Sequence, residues 1–303
     1  MRIVSLLPSA TEILFAIGAG DDIVAVTHEC DFPEKVRALP AITSSVFDHD
    51  GTSCADIDRH IKQALHQGSS IYRLDPTLLA DLNPDLIVTQ ELCDVCAVSY
   101  QDVTRAVRSI DSGATVVSLE PSSIDDILST ILVVGERTGN SRQAAAVVDR
   151  LKARLAAVCN LRLPRDEPRV VCVEWTDPLM VGGHWVPEMV ELAGGQDVLG
   201  IGHEPSRWVD ASAISEASPD IIVLMPCGFG LDETAHIGEK LMSGGAPSWF
   251  GTASVVAVDG SSYFNRPGPR IVDGVELLAM VFRGQLDSPS TKARWVRQMP
   301  VRV

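Results

Sequence analysis

The sequence predicts an α/β protein of two lobes with parallel sheets, joined by a helical spacer. Short apolar stretches alternate with amphipathic segments on both sides of a central tract, residues 123–159, in which apolar residues recur at helical spacing. Two segments of the first half, Gly18–Thr27 and Leu82–Gln90, are echoed in the same order by Ala193–Gly202 and Ala217–Pro226. This repeated plan indicates two similar lobes, which predict a ligand cleft between them.

The central tract divides into two helices. Gly139 and Asn140 interrupt the helical pattern, and serine residues supply a start signal before each piece. The first piece completes the first lobe, whereas the second, Ser141–Cys159, is predicted to be a long strut of about 28 Å at 1.5 Å per residue. The predicted boundaries are an N-terminal lobe at 1–122, a helical linker at 123–160, a C-terminal lobe at 161–285 and a polar tail at 286–303.

The first lobe contains four apolar runs that are typical of buried parallel strands. These strands are predicted at Ile3–Leu7, Asp22–Thr27, Asp85–Thr89 and Thr115–Leu119. The residues Ser9 to Glu12 have the form of a capping box and predict a helix that ends at Gly18–Gly20. The other helices of this lobe are predicted at Ala55–His66, Pro76–Leu82 and Tyr100–Ser109.

The same alternation resumes after the central tract. Strands are predicted at Arg169–Trp175, Val198–Ile201, Asp220–Met225 and Val255–Val258. A helix is expected at Pro187–Ala193, because proline is favoured in the first turn. The remaining helices are predicted at Ala211–Glu216 and Arg270–Phe282.

Charge and composition exclude several classes of partner. The net charge is −15, and no run of Lys or Arg is longer than a pair, which argues against binding to nucleic acid. No stretch approaches 18 consecutive apolar residues, so no membrane span is expected. We expect a monomer.

The cysteines and the N-terminal segment bear on location. Seven cysteines are an odd number and do not resemble a disulfide framework. The early helix signal and Glu12 interrupt any hydrophobic core of a signal peptide. Both features predict a cytoplasmic protein, or a periplasmic (extracytoplasmic) one if an export leader has been trimmed.

The candidate functional residues follow the predicted strands. Ligands of open parallel sheets bind beyond the carboxyl ends of the strands, and most Trp, Cys and His residues outside helices lie in these loops or in the Gly182–Trp185 turn. This pattern predicts one site between the lobes. The candidate ligand-binding residues are Pro8, Ser9, His28, Glu174, Trp175, His184, Trp185, Trp208, Phe229, Phe264 and Arg266.

Four cysteines also follow strands and are candidate metal ligands. They are Cys30, Cys93, Cys96 and Cys227. Cys-x-x-Cys is a spacing at which two thiolates chelate one metal ion or cluster. A redox pair and inert buried thiols are the competing interpretations. The other three cysteines, Cys54, Cys159 and Cys172, are expected to be small core residues.

Several segments resemble the substrate-binding proteins of cobalamin and iron–siderophore ABC importers, and most closely the members labelled cobalamin-binding. The segments are SLLPSATEILFAIGAGDDIVAVT, NPDLIV, SLEPSSIDDIL, EWTDPLMVGGHWVPEMVELAGG, SPDIIVLMPCGF and YFNRPGPRIVDGVELLA. The resemblance covers roughly residues 2–284. It implies two Rossmann-like lobes joined by one long helix, with the ligand held between the lobes and little hinge motion.

The resemblance also implies how a ligand is held. Corrinoid binders of this family line their cleft with aromatic side chains, and the matching positions here are Trp175, Trp185, Trp208 and Phe264, with Trp249 as a weaker candidate. Arg266 and Glu174 would meet the polar rim of a corrin or another large chelate.

Two hypotheses follow. The first is a non-enzymatic protein that binds a metal chelate, cobalamin or a related corrinoid before an iron chelate, and that serves an ABC permease or is a non-exported relative of such proteins. The second is a cytoplasmic metalloprotein or enzyme with a Cys-ligated metal ion or Fe–S cluster in the same cleft.

Overall fold

The computed structural model describes residues 1–45, 55–59, 72–90, 113–161, 167–286 and 292–299. The contacts within the chain divide it into two compact units. The first unit comprises Met1–Pro121 and Asp125–Arg150, and the second comprises Ser122–Ile124 and Leu151–Val303.

The first unit contains a parallel sheet. Its described strands are β1 (Ile3–Ser5), β2 (Ile23–Val26), β3 (Thr43–Ser45), β4 (Tyr72–Leu74), β5 (Leu86–Thr89) and β6 (Thr115–Ser118). Within the described residues, the sheet has the order β2-β1-β5-β6 with all neighbours parallel, while β3 and β4 form a separate antiparallel pair. Val4, Ala25 and Ile87 are fully buried in its core, as expected for a parallel sheet that is covered on both faces.

The described helices of the first half are α1 (Pro8–Ala16), α2 (Pro76–Leu82), α3 (Ile124–Arg137) and α4 (Ser141–Cys159). Helix α1 begins at Pro8 and has no side-chain cap, so the predicted capping box does not form. Proline at the first helical position has its φ preset for the helix and lacks an N–H that would have no partner within the helix. Helix α2 is capped instead by Asp75, which accepts hydrogen bonds from the amides of Thr77 and Leu78.

The break between α3 and α4 forms where the sequence predicts it. Gly139 has a φ of 74°, and the amide of Asn140 donates to the carbonyl oxygen of Gly135 at 2.7 Å. This is a glycine-dependent helix ending. Helix α4 then occupies the predicted residues, Ser141–Cys159, and passes from the first unit into the second after Arg150. Its role as a rigid strut stays a prediction.

The second unit contains a larger sheet. Its described strands are β7 (Arg169–Thr176), β8 (Leu179–Val181), β9 (Gln196–Asp197), β10 (Arg207–Trp208), β11 (Ile221–Leu224), β12 (Ser254–Val258) and β13 (Ala293–Arg297). Their order is β10-β8-β7-β11-β12-β13, and β9 also pairs with β7. The central strands β7, β11 and β12 are parallel. Strand β8 pairs antiparallel with β7, β10 with β8 and β13 with β12, so this sheet is mixed rather than wholly parallel.

The described helices of the second unit are α5 (Val186–Leu192), α6 (Ala211–Ala217), α7 (Leu231–Ser243), α8 (Gly260–Tyr263) and α9 (Ile271–Phe282). The strand predicted at Val198–Ile201 does not form. Instead, the side chain of Asp197 accepts hydrogen bonds from the amides of Leu199 and Gly200, and this local turn ends β9.

Several described elements were not predicted from the sequence, and helix α7 and strand β13 are two of them. Helix α7 lies in a stretch that reads as polar, and its buried residues are the small side chains Thr234, Ala235 and Gly238. A Cβ atom at Gly238 would lie 2.5 Å from the side chain of Val296, so the helix and β13 pack closely. Strand β13 therefore belongs to the sheet, although its residues were predicted to form a polar tail.

Candidate ligand-binding site

In the first unit, the candidate residue His28 is fixed by the β3–β4 pair. Its amide and its Nδ1 atom contact the hydroxyl of Thr43 at 3.2 and 2.7 Å. Its ring also lies edge-on to that of Tyr72, with 5.2 Å between the ring centroids. Nε2 lies 3.3 Å from a carboxylate oxygen of Glu29. The imidazole therefore has a defined orientation after β2.

Pro8 and Ser9 form the first turn of α1, directly after β1. Ser9 is buried and Pro8 is partly exposed. Because β1 and β2 are parallel neighbours, the segments that follow them leave the same edge of the sheet. The structure thus brings Pro8, Ser9 and His28 to one edge of the first unit.

Cys30 lies close to this edge but is an interior residue. It is 7% exposed, and its Sγ atom lies 3.1 Å from the hydroxyl of Thr11 and 3.9 Å from that of Thr27. Cys93 and Cys96 lie outside the described residues. Among the residues that the structure describes, no group of three or more His, Cys, Asp and Glu side chains could hold a metal ion. The hypothesis of a thiolate-ligated centre has no support from these residues.

In the second unit, Glu174 connects several of the loops that follow the strands. Glu174 lies near the carboxyl end of β7, and its carboxylate accepts a hydrogen bond from the hydroxyl of Ser206. Its other oxygen accepts a hydrogen bond from the side-chain amide of Asn265 at 3.2 Å. Its backbone carbonyl accepts the amide of Cys227 at 3.2 Å. One residue thus contacts three segments that are distant in sequence.

Ser206 extends these contacts to a fourth segment. Its Oγ atom also accepts a hydrogen bond from the amide of Gly183 at 3.1 Å. A Cβ atom at Gly183 would lie 2.3 Å from the carbonyl oxygen of Glu204, so only glycine permits this approach. We refer to the four segments 182–185, 203–208, 226–229 and 263–266 as the loop cluster.

The turn that contains His184 has an unusual backbone. His184 and His203 both have positive φ, 50° and 66°, a conformation that side chains other than glycine adopt infrequently. The amide of His184 donates to the carbonyl oxygen of Glu204 at 2.6 Å, and that of His203 donates to the carbonyl oxygen of His184 at 2.9 Å. The Nδ1 atom of His184 is buried and has no hydrogen-bond partner in the described structure.

The aromatic candidates differ in how much of each ring is accessible. Phe264 is fully buried, and its carbonyl oxygen accepts a hydrogen bond from the indole N–H of Trp185 at 2.8 Å. Trp185 and Trp175 are also largely buried, and Trp175 lies edge-to-face with Phe229 at 5.8 Å between ring centroids. Trp208, on β10, is 52% exposed. Trp208 thus offers the largest accessible ring of these candidates.

The remaining candidates are Arg266, Cys227 and Trp249. Arg266 is partly buried, and its carbonyl oxygen accepts the amide of Gly268 at 2.8 Å, which closes the proline–glycine turn. Cys227 is a partly exposed free thiol in the loop cluster. Trp249 belongs to the hydrophobic core of the second unit and packs edge-to-face on Phe250. Its side chain has a core role there.

The other predicted core cysteines have mixed outcomes. Cys172, in β7, is 1% exposed, which confirms its prediction. Cys159 is exposed at the end of α4, so its prediction was wrong. The helical periodicity places it beyond the last buried position, Val158. Cys54 lies outside the described residues.

Burial changes the acid–base properties of two groups in the loop cluster. It raises the pKa of the Glu174 carboxyl, although the hydrogen bonds from Ser206 and Asn265 oppose that rise. It lowers the pKa of the His184 imidazole. His184 is therefore neutral at neutral pH and keeps a lone pair on one ring nitrogen.

Ser206 and Asn265 were not predicted from the sequence to be partners of Glu174. Both lie in loops that follow strands, so the rule for strand ends locates them approximately. Their contacts, however, join residues 32 and 91 positions apart. Small polar side chains carry no pattern of their own that would indicate such partners.

No helix in the described part of the chain is long and apolar enough to span a membrane.

Comparison with known proteins identifies the family. Residues 3–246 match the family model described as periplasmic binding protein. Curated vitamin B12-binding proteins of Yersinia pestis and Yersinia pseudotuberculosis are each 24% identical over 275 residues, which is 89% of this chain and 82% of theirs.

Solved structures have the same fold. A periplasmic heme-binding protein of Roseiflexus sp. RS-1 in apo form has a TM-score of 0.67 and 22% identity, over 94% of this chain and 98% of that one. The periplasmic vitamin B12-binding protein of Vibrio cholerae has a TM-score of 0.67 and 20% identity, over 94% and 97% of the two chains. These likenesses confirm the predicted class of α/β fold.

Two predictions can be judged from these comparisons. The cytoplasmic location has no support, because the family and these two similar structures are described as periplasmic. The prediction of a non-enzymatic protein is confirmed, since the family consists of solute-binding proteins. The chain belongs to the periplasmic binding protein family, as a substrate-binding protein of the type that serves ABC importers.

Proposed function

We propose that this protein binds a corrinoid, with cobalamin as the first candidate, at the loop cluster of the second unit. The protein would act outside the cytoplasm and deliver its ligand to an ABC permease. The closeness to vitamin B12-binding relatives at 24% identity supports this choice of ligand.

The chemistry of the loop cluster suits such a ligand. A corrin has a broad apolar face surrounded by polar amide groups. The accessible ring of Trp208 can cover part of the face, because aromatic side chains contribute a large contact area with few rotatable bonds. Arg266 and the backbone groups of the loops can hydrogen-bond to the amides.

The observation that carries the proposal is the convergence of the loop segments on Glu174. Binding a large rigid chelate is favoured when the contacting loops are already ordered, because less conformational entropy is then lost. Four segments joined by direct hydrogen bonds are consistent with such a preformed surface.

Heme is the second candidate, and His184 supports it. Its imidazole is neutral and makes no hydrogen bond to any described residue. A neutral imidazole is a common ligand of heme iron. The heme-binding protein of Roseiflexus also has the same TM-score to this chain as the vitamin B12-binding protein of Vibrio cholerae. Iron–siderophore complexes remain a third class within the family.

A panel of chelates tests the proposal. Purified protein would be titrated with cyanocobalamin, hemin and a ferric hydroxamate siderophore, with tryptophan fluorescence corrected for ligand absorption as the signal. The proposal predicts the tightest binding for cyanocobalamin, with a dissociation constant at or below about 1 μM, or about −8 kcal/mol. Tighter binding of hemin would favour the second candidate. No binding of any of the three at tens of micromolar would overturn the proposal.

A further inference from the structure

We infer that Glu174 is a positioning residue, which fixes the loop cluster through Ser206 and Asn265, and that its charge is not a contact for the ligand. This inference rests on the proposed function only where ligand affinity is the readout. It departs from the interpretation of Glu174 as a group that meets the polar rim of a chelate.

The Glu174 carboxylate makes its contacts within the protein. One of its oxygens accepts the hydroxyl of Ser206 and the other accepts the amide of Asn265. The side chain is partly buried in β7, between neighbours Val173 and Trp175 that are themselves buried. Both oxygens thus already have protein donors.

The partners of Glu174 lie next to the candidate contact residues of the loops. Ser206 is two residues before the exposed Trp208 and also accepts the amide of Gly183, next to His184. Asn265 directly precedes Arg266 in the sequence. Each candidate contact residue of these loops is therefore one or two peptide units from an atom that Glu174 holds, directly or through Ser206.

Asn265 has a side-chain oxygen that could pair with a neutral residue at position 174. Its Oδ1 atom is buried and has no hydrogen-bond partner in the described structure. A glutamine at position 174 could still accept a hydrogen bond from the hydroxyl of Ser206 through its Oε1 atom. If Asn265 rotated its amide by half a turn, Oδ1 could accept the new N–H of that glutamine. The neutral variant can keep the arrangement, whereas an alanine cannot.

Comparing glutamine with alanine at position 174 separates a positioning role from direct recognition of the charge by the ligand. If Glu174 positions the loops, E174Q should bind cyanocobalamin within about threefold of the wild type, while E174A and S206A should each bind about tenfold more weakly. The double variant E174A/S206A should be no weaker than the E174A variant, because both substitutions break the same network. If the charge meets the ligand, E174Q should lose as much affinity as E174A.

A second measurement does not depend on the ligand. Hydrogen exchange of the free protein should be faster at the amides of Gly183 and Cys227 in E174A than in the wild type, and near the wild-type rate in E174Q. Ser215 provides the matched control, since its hydroxyl donates to the carbonyl of Ala211 in α6, and S215A should alter neither readout. Unchanged exchange in E174A would overturn the inference.

The two proposals fail in different ways. If no chelate binds but exchange accelerates in E174A and recovers in E174Q, the positioning role stands and the proposed ligand class is wrong. If cyanocobalamin binds and E174Q loses affinity as strongly as E174A, the ligand class stands and the positioning role is wrong. If E174A does not fold, E174Q and S206A still decide between positioning and charge recognition.

Discussion

The backbone N–H of His203 donates to the carbonyl oxygen of His184 at 2.9 Å, and both residues have positive φ. A left-handed backbone costs a non-glycine residue about 1–2 kcal/mol. Such strain is found most often at functional sites, where a side chain is needed at that position. The two histidines differ in that the imidazole of His203 lies 3.4 Å from Glu188, while the Nδ1 atom of His184 has no hydrogen-bond partner among the described residues.

We predict that H184G lowers chelate affinity at least about tenfold without destabilising the protein. Glycine relieves the left-handed backbone and removes the buried Nδ1 atom, and these gains offset the about 0.5–1 kcal/mol by which glycine favours the unfolded chain. Thermal unfolding and ligand titration would measure the two effects. H203G is the matched control, since it relieves a similar backbone but should keep affinity. A large drop in Tm for H184G, or equal loss of affinity in H203G, would contradict this role of His184.

Gly183 should be intolerant of a side chain. In G183A, the new Cβ atom would approach backbone atoms of Glu204, Pro205 and Ser206 at 2.3 to 2.7 Å, so the 203–206 segment must move. We expect destabilisation by about 1–3 kcal/mol in urea unfolding, together with weaker ligand binding. Gly202 offers a control in the same region, because a Cβ atom there would meet nothing within 4 Å. G202A should change stability by less than about 0.5 kcal/mol; equal effects of the two would refute the packing argument.

Trp208 should contribute affinity rather than stability. Because its side chain is about half exposed, W208A should leave the free energy of unfolding nearly unchanged and weaken chelate binding by about 1–2 kcal/mol. M280A is a suitable control, since Met280 is also an exposed apolar residue of this unit, at 39%, outside the loop cluster. Wild-type affinity in W208A would exclude this ring from the ligand contacts.

The fold of this chain was more predictable than its candidate site. Apolar runs such as residues 86–89 and 221–224 indicate buried strands because their character is local. Helix α7 was not predicted from its apolar pattern, because the face that it buries consists of small residues such as Ala235 and Gly238 rather than large apolar ones. Strand β13 was also missed, because its pairing with β12 spans about 40 residues of sequence.

At the site, the sequence located the loops but not their connections. The carboxyl ends of β7 and β11 correctly indicated Glu174 and Cys227 as neighbours, because these strands are parallel and adjacent. The link from Glu174 to Ser206 depends on the antiparallel strands β8 and β10, which are only three and two residues long. Such short strands give no recognisable alternation of apolar and polar residues.

Glu174 should make the free energy of unfolding depend on pH, and the burial of its carboxyl sets the direction of that dependence. Burial raises the pKa of its carboxyl in the folded state, so the folded state binds this proton more tightly than the unfolded state does. Its contribution favours folding at low pH and is lost as pH rises from about 4, the unfolded value, to the folded pKa. The stability of E174Q relative to the wild type should therefore be greater at pH 7 than at pH 4.

Urea unfolding of both proteins at the two pH values measures this difference. D197N should show the same sign, because burial also raises the pKa of Asp197. If E174Q instead gained stability relative to the wild type on going from pH 7 to pH 4, the carboxyl would be stabilised as an anion, and the account of its burial would be wrong.

Arg154 should stabilise the packing of α4 on α9. Its guanidinium donates two hydrogen bonds to Glu276, at 2.8 and 2.7 Å, and also lies 3.4 Å from Asp273. These partners raise the pKa of Arg154, and the hydrogen bonding to the Glu276 carboxylate is the largest cause. Since lysine cannot form the paired contact, R154K should lower the free energy of unfolding by about 1 kcal/mol.

Arg294 provides the comparison for this salt bridge. It pairs with Asp232 at 2.8 Å, but both side chains are at least half exposed. Solvent weakens such a pair, so R294K should change stability by less than about 0.5 kcal/mol. Equal effects of R154K and R294K would indicate that the paired geometry at Arg154 contributes nothing beyond a surface charge.

The most direct test of the central claim is hydrogen exchange of the whole protein with and without saturating cyanocobalamin. The account predicts 1:1 binding with slower exchange concentrated in residues 182–185, 203–208 and 263–266, because ligand contact and loop ordering both protect amides. Binding without protection in any of these segments would contradict the assignment of the site. The absence of any cyanocobalamin binding would contradict the proposed ligand itself.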